Sequence, residues 1–153
     1  FGVQLLLDLL TYARIMPSVN QCELTPYLPQ HGLVKFCLDQ GILPEAYGPL
    51  GALLGIFHGN DKYENVKKCI ENEDIVDIAK KHGKSPAQVI LAWNLARGVK
   101  VIPKSSNPGR VLENLQATEV ELEAEDIAKI NAITTRVRIY ESNHLIGYDI
   151  FAQ

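Results

Sequence analysis

Between Ser85 and Leu115 the chain passes through a helix, a strand and a second helix with almost no residues to spare, and no other feature restricts the fold as much. "SPAQ" supplies a capping box, with Ser85 as N-cap, Pro86 at the first helical position and Gln88 three residues on. The helix it opens is expected to run to Arg97, to bury Val89, Trp93 and Ala96, and to end at Gly98. "VKVIP" then reads as a strand of β-branched residues, and Asn107-Pro108 opens a helix through Leu115.

The remaining segments keep the same rhythm. Val3, Leu6, Leu7, Leu10 and Ala13 follow helical spacing from Val3 to Ile15, with Leu5 and Leu9 widening the stripe. "SVNQCEL" reads as a buried strand, Leu33, Phe36 and Cys37 mark a helix stopped by Gly41, and "ILPEAY" reads as a strand. Pro44 argues against a central place for that last strand, because proline cannot donate to the ladder. "EDIVDIAKKHG" is helical, with Lys80, Lys81 and His82 at its negative dipole end, and "EDIAKINAIT" supplies a further helix. Such alternation demands parallel strands joined by right-handed crossovers, so the fold class is α/β. Three strands are too few for helices to cover on both faces, so further strands or a second copy are expected.

Composition removes several classes of function. The chain has 153 residues, the size of one ordinary domain, and a formal net charge of -3 without any basic block, which argues against a nucleic-acid partner. No apolar run approaches the roughly 18 residues of a membrane span, since "LGALLGIF" lies between Pro49 and His58. Cys22, Cys37 and Cys69 form neither an even disulfide framework nor a close metal-binding pair, which fits reduced thiols and a cytoplasmic setting. The chain opens at Phe1 with a helical pattern already under way, so an upstream segment is expected.

Lys104, Ser105 and Ser106 fall at the end of the third strand, where α/β folds place ligands. The helix start at Asn107-Pro108 suits an anion, phosphate above all; Lys104 adds a point charge, and Arg110 a planar fork. Glu113 and Asn114, one turn on, are placed to meet the edge of an adenine. An ordinary Asn107 cap flanked by solvated Lys104 and Arg110 accounts for the spacing equally well.

"PSVNQCELTPYLPQ", "ILPEAYGPLG", "AKKHGKSPAQVILAW" and "VIPKSSNPGRVLENL" stand in an order and at distances that resemble the aldo-keto reductase family, from Phe1 to about Arg138. The resemblance implies the C-terminal half of a (β/α)8 barrel, strands six to eight with their helices, because a whole barrel takes about 250 residues. It implies NADPH as cofactor and reduction of a small aldehyde or ketone to an alcohol. By the same resemblance Gln21 holds the nicotinamide carboxamide and Tyr47 stacks on its ring. Leu50, with the backbone of Gly51 and Ala52, lies along the pyrophosphate, where Gly48 replaces a frequent serine. Lys104, Ser105, Ser106, Asn107 and Arg110 surround the 2'-phosphate, and Glu113 and Asn114 contact adenine. Paired cations favour NADPH over NADH, which brings no charge to this corner to offset their desolvation.

The family's proton-donating tyrosine, with its lysine, aspartate and histidine, belongs to the N-terminal half, as do a serine and asparagine at the nicotinamide. No catalytic residue is therefore assigned here, and the chain alone is expected to be inactive. His31, His58, His82 and His144 read as surface or helix-end residues, and Glu121, Glu123, Glu125 and Asp126 as a solvated helix start. Tyr12, Tyr27, Tyr63, Tyr140 and Tyr148 stand in none of the family's catalytic contexts, and the final "YESNHLIGYDIFAQ" resembles its variable C-terminal loop only loosely. A non-catalytic relative, crystallin-like or channel-subunit-like, stays open beside the enzyme, as does a self-associating half-barrel.

Overall fold

The computed structural model describes residues 1–51 and 66–140. Ala52, His58 and Tyr63, with the rest of 52–65, and His144 and Tyr148, with the rest of the segment from 141 on, lie outside the described residues. Element order is α1 (Val3–Tyr12), β1 (Val19–Glu23), α2 (His31–Asp39), β2 (Leu43–Tyr47), α3 (Glu73–His82), α4 (Pro86–Ala96), β3 (Lys100–Ile102), α5 (Pro108–Gln116) and α6 (Ala124–Asn131), with single 3-10 turns at Cys69–Glu71 and Ala117–Glu119.

The strands form one parallel sheet in the order β1-β2-β3. Pro44 does stand in the central strand, contrary to the expectation from its missing N–H. The reason is register: β3 pairs only with Glu45, Ala46 and Tyr47, so Pro44 lies before the three-stranded part.

Parallel register puts equivalent residues of the three strands on the same side, and the two faces differ sharply. One face carries Asn20, Pro44 and Ala46, all buried, and with Leu24, Val34 and Val99 it packs under α2 and α4. The other face carries Gln21, Glu45 and Lys100 in one row and Glu23, Tyr47 and Ile102 in the next. Gln21 Nε2 donates to Glu45 Oε1 at 2.8 Å, and Lys100 Nζ stands 3.7 Å from Glu45 Oε2. Val19, Leu43 and Ile102 are exposed on this same face.

The main core lies between α3, α4 and α6. Ile75, Ile78, Val89, Ile90, Trp93 and Ile130 form its centre, with Tyr27 and Cys69 at one side. Trp93 is fully buried and donates Nε1–H to Asn131 Oδ1 at 2.9 Å, joining α4 to α6. Ser85 and Gln88 make the expected box, Oγ accepting from the Gln88 amide at 3.2 Å and Oε1 from the Ser85 amide at 3.1 Å. Ala96, expected inside, is exposed; α4 instead buries the unbroken run Gln88–Asn94, because the elements around it cover its middle turns on all sides. Cys22, Cys37 and Cys69 are free thiols. Gly51, at φ +63°, lies so close to Cys69 that a Cβ there would come within 2.8 Å of Sγ.

Helix α1 stops at Tyr12, three residues short of the expected Ile15, where Ala13 turns to extended backbone. Only Leu6 is buried along it, with Val3 and Leu10 half-buried against α2, while Leu5 and Leu7 are exposed. One neighbouring helix covers a narrow strip, so Leu7 falls outside it.

The acidic run is not simply a solvated helix start. Asp126 is 4 % exposed and accepts from Lys81 Nζ at 2.9 Å, from the Glu123 amide at 3.1 Å and pairs with His82 Nε2 at 2.7 Å. Burial pushes its carboxyl up, but Lys81, His82 and the Glu123 amide outweigh burial and hold it at about 2. His82 is thus a helix-end residue, as expected, but one tied to α6.

Candidate functional site

The C-terminal ends of the three strands gather the residues singled out from the sequence. Glu23 closes β1, Tyr47 closes β2, and Ile102 leads through Pro103 into Lys104 at the end of β3. Parallel strands all end on one side, so local sequence at three separate places becomes one surface.

At the β3 end, Ser105 Oγ accepts from the Asn107 amide at 3.2 Å, and Asn107 Oδ1 accepts from the Arg110 amide at 3.1 Å. Asn107 is therefore the N-cap of α5, with Pro108 in the first turn. These bonds change what the helix start can offer an anion. Pro108 has no N–H, and the amides of Asn107 and Arg110 are occupied, so charge has to be met chiefly by side chains. Lys104, Ser106 and Arg110 are all exposed, and among the described residues neither Lys104 nor Arg110 belongs to an ion pair. Two cations without an ion-pair partner among the described residues, near the Ser105 and Ser106 hydroxyls in sequence, are groups suited to an anion. Glu113 and Asn114 follow on α5, both half-buried; the Glu113 carbonyl accepts from Gln88 Nε2 at 3.2 Å, which fixes α5 against α4.

Gln21 is exposed on the polar face and bonded to Glu45, two residues before the end of β1. Tyr47 is half-buried, and its ring meets that of Tyr140 edge-on, with centroids 5.1 Å apart and planes at 77°. Burial, followed by the negative charge of Glu23, pushes both phenols above their ordinary range, so both are protonated at neutral pH. Leu50 is half-buried and packs against the α3/α4 core, so its side chain anchors the segment. Tyr140 and Glu23 went unassigned in the sequence. A charged residue at the C-terminal end of a strand is the one signal that marks Glu23, whereas Tyr140 carries no local signal.

The family model described as the Aldo/keto reductase family matches residues 1–135. A probable NAD(P)H-dependent D-xylose reductase of Arthroderma otae is 44% identical over 138 residues, 90% of this chain and 42% of its own length. Aldose reductase B of Dictyostelium discoideum is 44% identical over 140 residues, 90% of this chain and 40% of its own length. The solved aldose reductase of Giardia lamblia superposes with TM-score 0.84 at 38% identity, covering 99% of this chain and 49% of that one. A silkworm aldo-keto reductase complexed with NADPH gives TM-score 0.81 at 28% identity over 99% of this chain and 45% of its own. The chain thus spans about half the length of the relatives it matches.

Proposed function

The chain belongs to the aldo/keto reductase family, and we propose that it is the NADPH-binding, C-terminal portion of a (β/α)8 barrel that reduces aldehydes or ketones to alcohols. In this reading β1, β2 and β3 are barrel strands six, seven and eight, and residues 1–153 form one part of a single barrel domain. The open face bearing Gln21, Glu45 and Lys100 looks into the barrel interior. The exposed Val19, Leu43 and Ile102 support that placement, because apolar side chains beside a polar row on one face call for a further layer of strands. The N-terminal half of the barrel, or in its absence a second copy of the chain, supplies that layer.

The observation that carries the cofactor assignment is the pair of unneutralised cations at the end of β3. Lys104, Ser105, Ser106, Asn107 and Arg110 hold the 2'-phosphate, Glu113 and Asn114 border the adenine, and the segment at Leu50 lies along the pyrophosphate. Tyr47 offers a ring face to the nicotinamide and Gln21 an amide to its carboxamide, a group that needs both a donor and an acceptor. NADPH, when bound, supplies a hydride to the substrate carbonyl carbon. The protein's part is to fix the nicotinamide on Tyr47 and keep it in register with the phosphate anchored at Arg110. The family's proton-donating tyrosine lies in the other half, so residues 1–153 alone are not expected to turn over. The relatives are named as D-xylose and aldose reductases, which supports a sugar aldehyde or similar small carbonyl as substrate of the complete enzyme.

The test is a fluorescence titration of the purified protein with NADPH and NADH. Arg110→Ala is expected to weaken NADPH by roughly 10- to 100-fold, the range of one charge-assisted contact, and NADH by less than about threefold. Equal losses for the two cofactors would remove the phosphate assignment.

A further inference from the structure

Glu23 stands out because a carboxylate that is 1 % exposed needs strong compensation to remain there. It receives two consecutive backbone amides from the far end of the chain: Ile139 N–H donates to Oε1 at 2.9 Å and Tyr140 N–H to Oε2 at 3.2 Å. Its own backbone is held in turn, the carbonyl accepting from Gln30 Nε2 at 2.7 Å. A carboxylate whose two oxygens each take an amide fixes the direction of the chain it grips.

What that grip positions is the Tyr140 ring. Glu23 is the register partner of Tyr47, and the Tyr140 ring lies edge-on to Tyr47 beside the next residue, Gly48. A Cβ on Gly48 would approach Tyr140 Cε2 to 2.6 Å and Oη to 2.9 Å, so the ring occupies the space that any side chain at position 48 would need. Gly48 also has φ +54°, a conformation glycine adopts without strain. The absent side chain at position 48 and the ring at position 140 are therefore one fitted pair.

We propose that Glu23 is a positioning residue: by gripping Ile139 and Tyr140 it sets the Tyr140 ring as a brace against Tyr47, and through Tyr47 it sets how the nicotinamide end of the cofactor is held. This rests on the reading that Tyr47 carries the nicotinamide. Removing the brace loosens the Tyr47 platform without touching the phosphate corner on α5, so its effect depends on which part of the cofactor is present.

The experiment compares dissociation constants for NADPH, NADH and adenosine 2',5'-bisphosphate, which keeps the 2'-phosphate and adenine but lacks nicotinamide. The variants are Tyr140→Ala, Tyr140→Phe, Glu23→Gln and the double variant Glu23→Gln/Tyr140→Ala, with Arg110→Ala as reference and far-UV circular dichroism to check folding. Tyr140→Ala is expected to weaken NADPH and NADH by the same factor, about threefold to tenfold as for an aromatic pair, and to leave the bisphosphate unchanged. Tyr140→Phe keeps the ring and should lose less affinity than Tyr140→Ala. Glu23→Gln should follow Tyr140→Ala, and the double variant should bind no more weakly than Tyr140→Ala, because the two act in series. Unchanged NADPH affinity in Tyr140→Ala, or an equal loss for the bisphosphate, overturns the inference even if Glu23→Gln fails to fold. If Arg110→Ala discriminates between cofactors while the Tyr140 variants do not, the inference alone fails. If the parent protein binds neither NADPH nor the bisphosphate, the underlying reading fails with it.

Discussion

Helices α4 and α5 begin in the same way and end up with different tasks. Each has a polar N-cap, Ser85 or Asn107, whose oxygen takes the amide three residues on, and each has proline in its first turn. At the third helical position α4 has Gln88, which folds back to close the box, whereas α5 has Arg110, whose side chain is exposed. Downstream, α4 buries seven consecutive residues and α5 buries none. A capped start is thus neutral as evidence for a ligand site. What separates a structural helix from a candidate ligand-facing one is whether the residue at the third position is used internally, and whether packing consumes the residues that follow.

The sharpest way to break this contrast is to truncate one large apolar side chain on each helix. Trp93→Ala is expected to cost about 3–5 kcal/mol in urea unfolding, the range for an aromatic removed from a closed core. Leu112→Ala on α5, an exposed site, should stay within about 0.5 kcal/mol. Comparable losses would mean that the apolar side of α5 is covered in solution, and the distinction between the two helices would fall.

The next largest effect concerns the clasp beside the α4 core. Asp126→Asn removes the charge that Lys81 and His82 face and is expected to lower stability by about 2 kcal/mol. Its folded-state pKa lies below the ordinary carboxylate value of 3.8, so the stabilisation is complete above that value and is lost as pH falls toward about 2. Acid unfolding followed by circular dichroism should therefore be flatter between about pH 4 and 2 in the variant than in the parent. Matching acid limbs would show that the clasp does not govern this window.

The smallest effects belong to the caps themselves. Ser85→Ala should cost about 1 kcal/mol and leave NADPH affinity alone. Asn107→Ala should cost less, about 0.5 kcal/mol on its exposed helix, yet lower NADPH affinity, because the cap shapes the turn that presents Arg110. Equal affinity in both variants would place Asn107 with the purely structural caps.

Features fixed within a few residues were legible before any coordinates. The Ser85–Gln88 box, the alternation that forces a parallel sheet, and the location of Lys104 to Arg110 after a strand all depend on local spacing. Where tertiary neighbours decide, local spacing is a poor guide. Ala96 follows the helical stripe but lies past the covered turns of α4, Leu7 follows it on a helix covered along a narrow strip, and Pro44 depends on where β3 begins to pair. Asp126 looked like one of several solvated acids because its partners Lys81 and His82 come from a distant helix. The same limit applies to the site. Gln21 and Tyr47 sit in short recognisable motifs, whereas the bonds from Glu23 to Ile139 and Tyr140 join opposite ends of the chain and leave no periodic trace.

The close approach of Gly51 to Cys69 gives the protein an internal clock for its own opening. Burial pushes the Cys69 thiol up to about 12, so almost no thiolate exists at neutral pH, and the sulfur itself is covered. An alkylating reagent reaches it during excursions that uncover the sulfur, the parting of the segment at Gly51 from the turn at Cys69–Glu71 among them. The speed of its labelling, read by mass spectrometry peptide by peptide, then reports how readily this corner of the molecule opens.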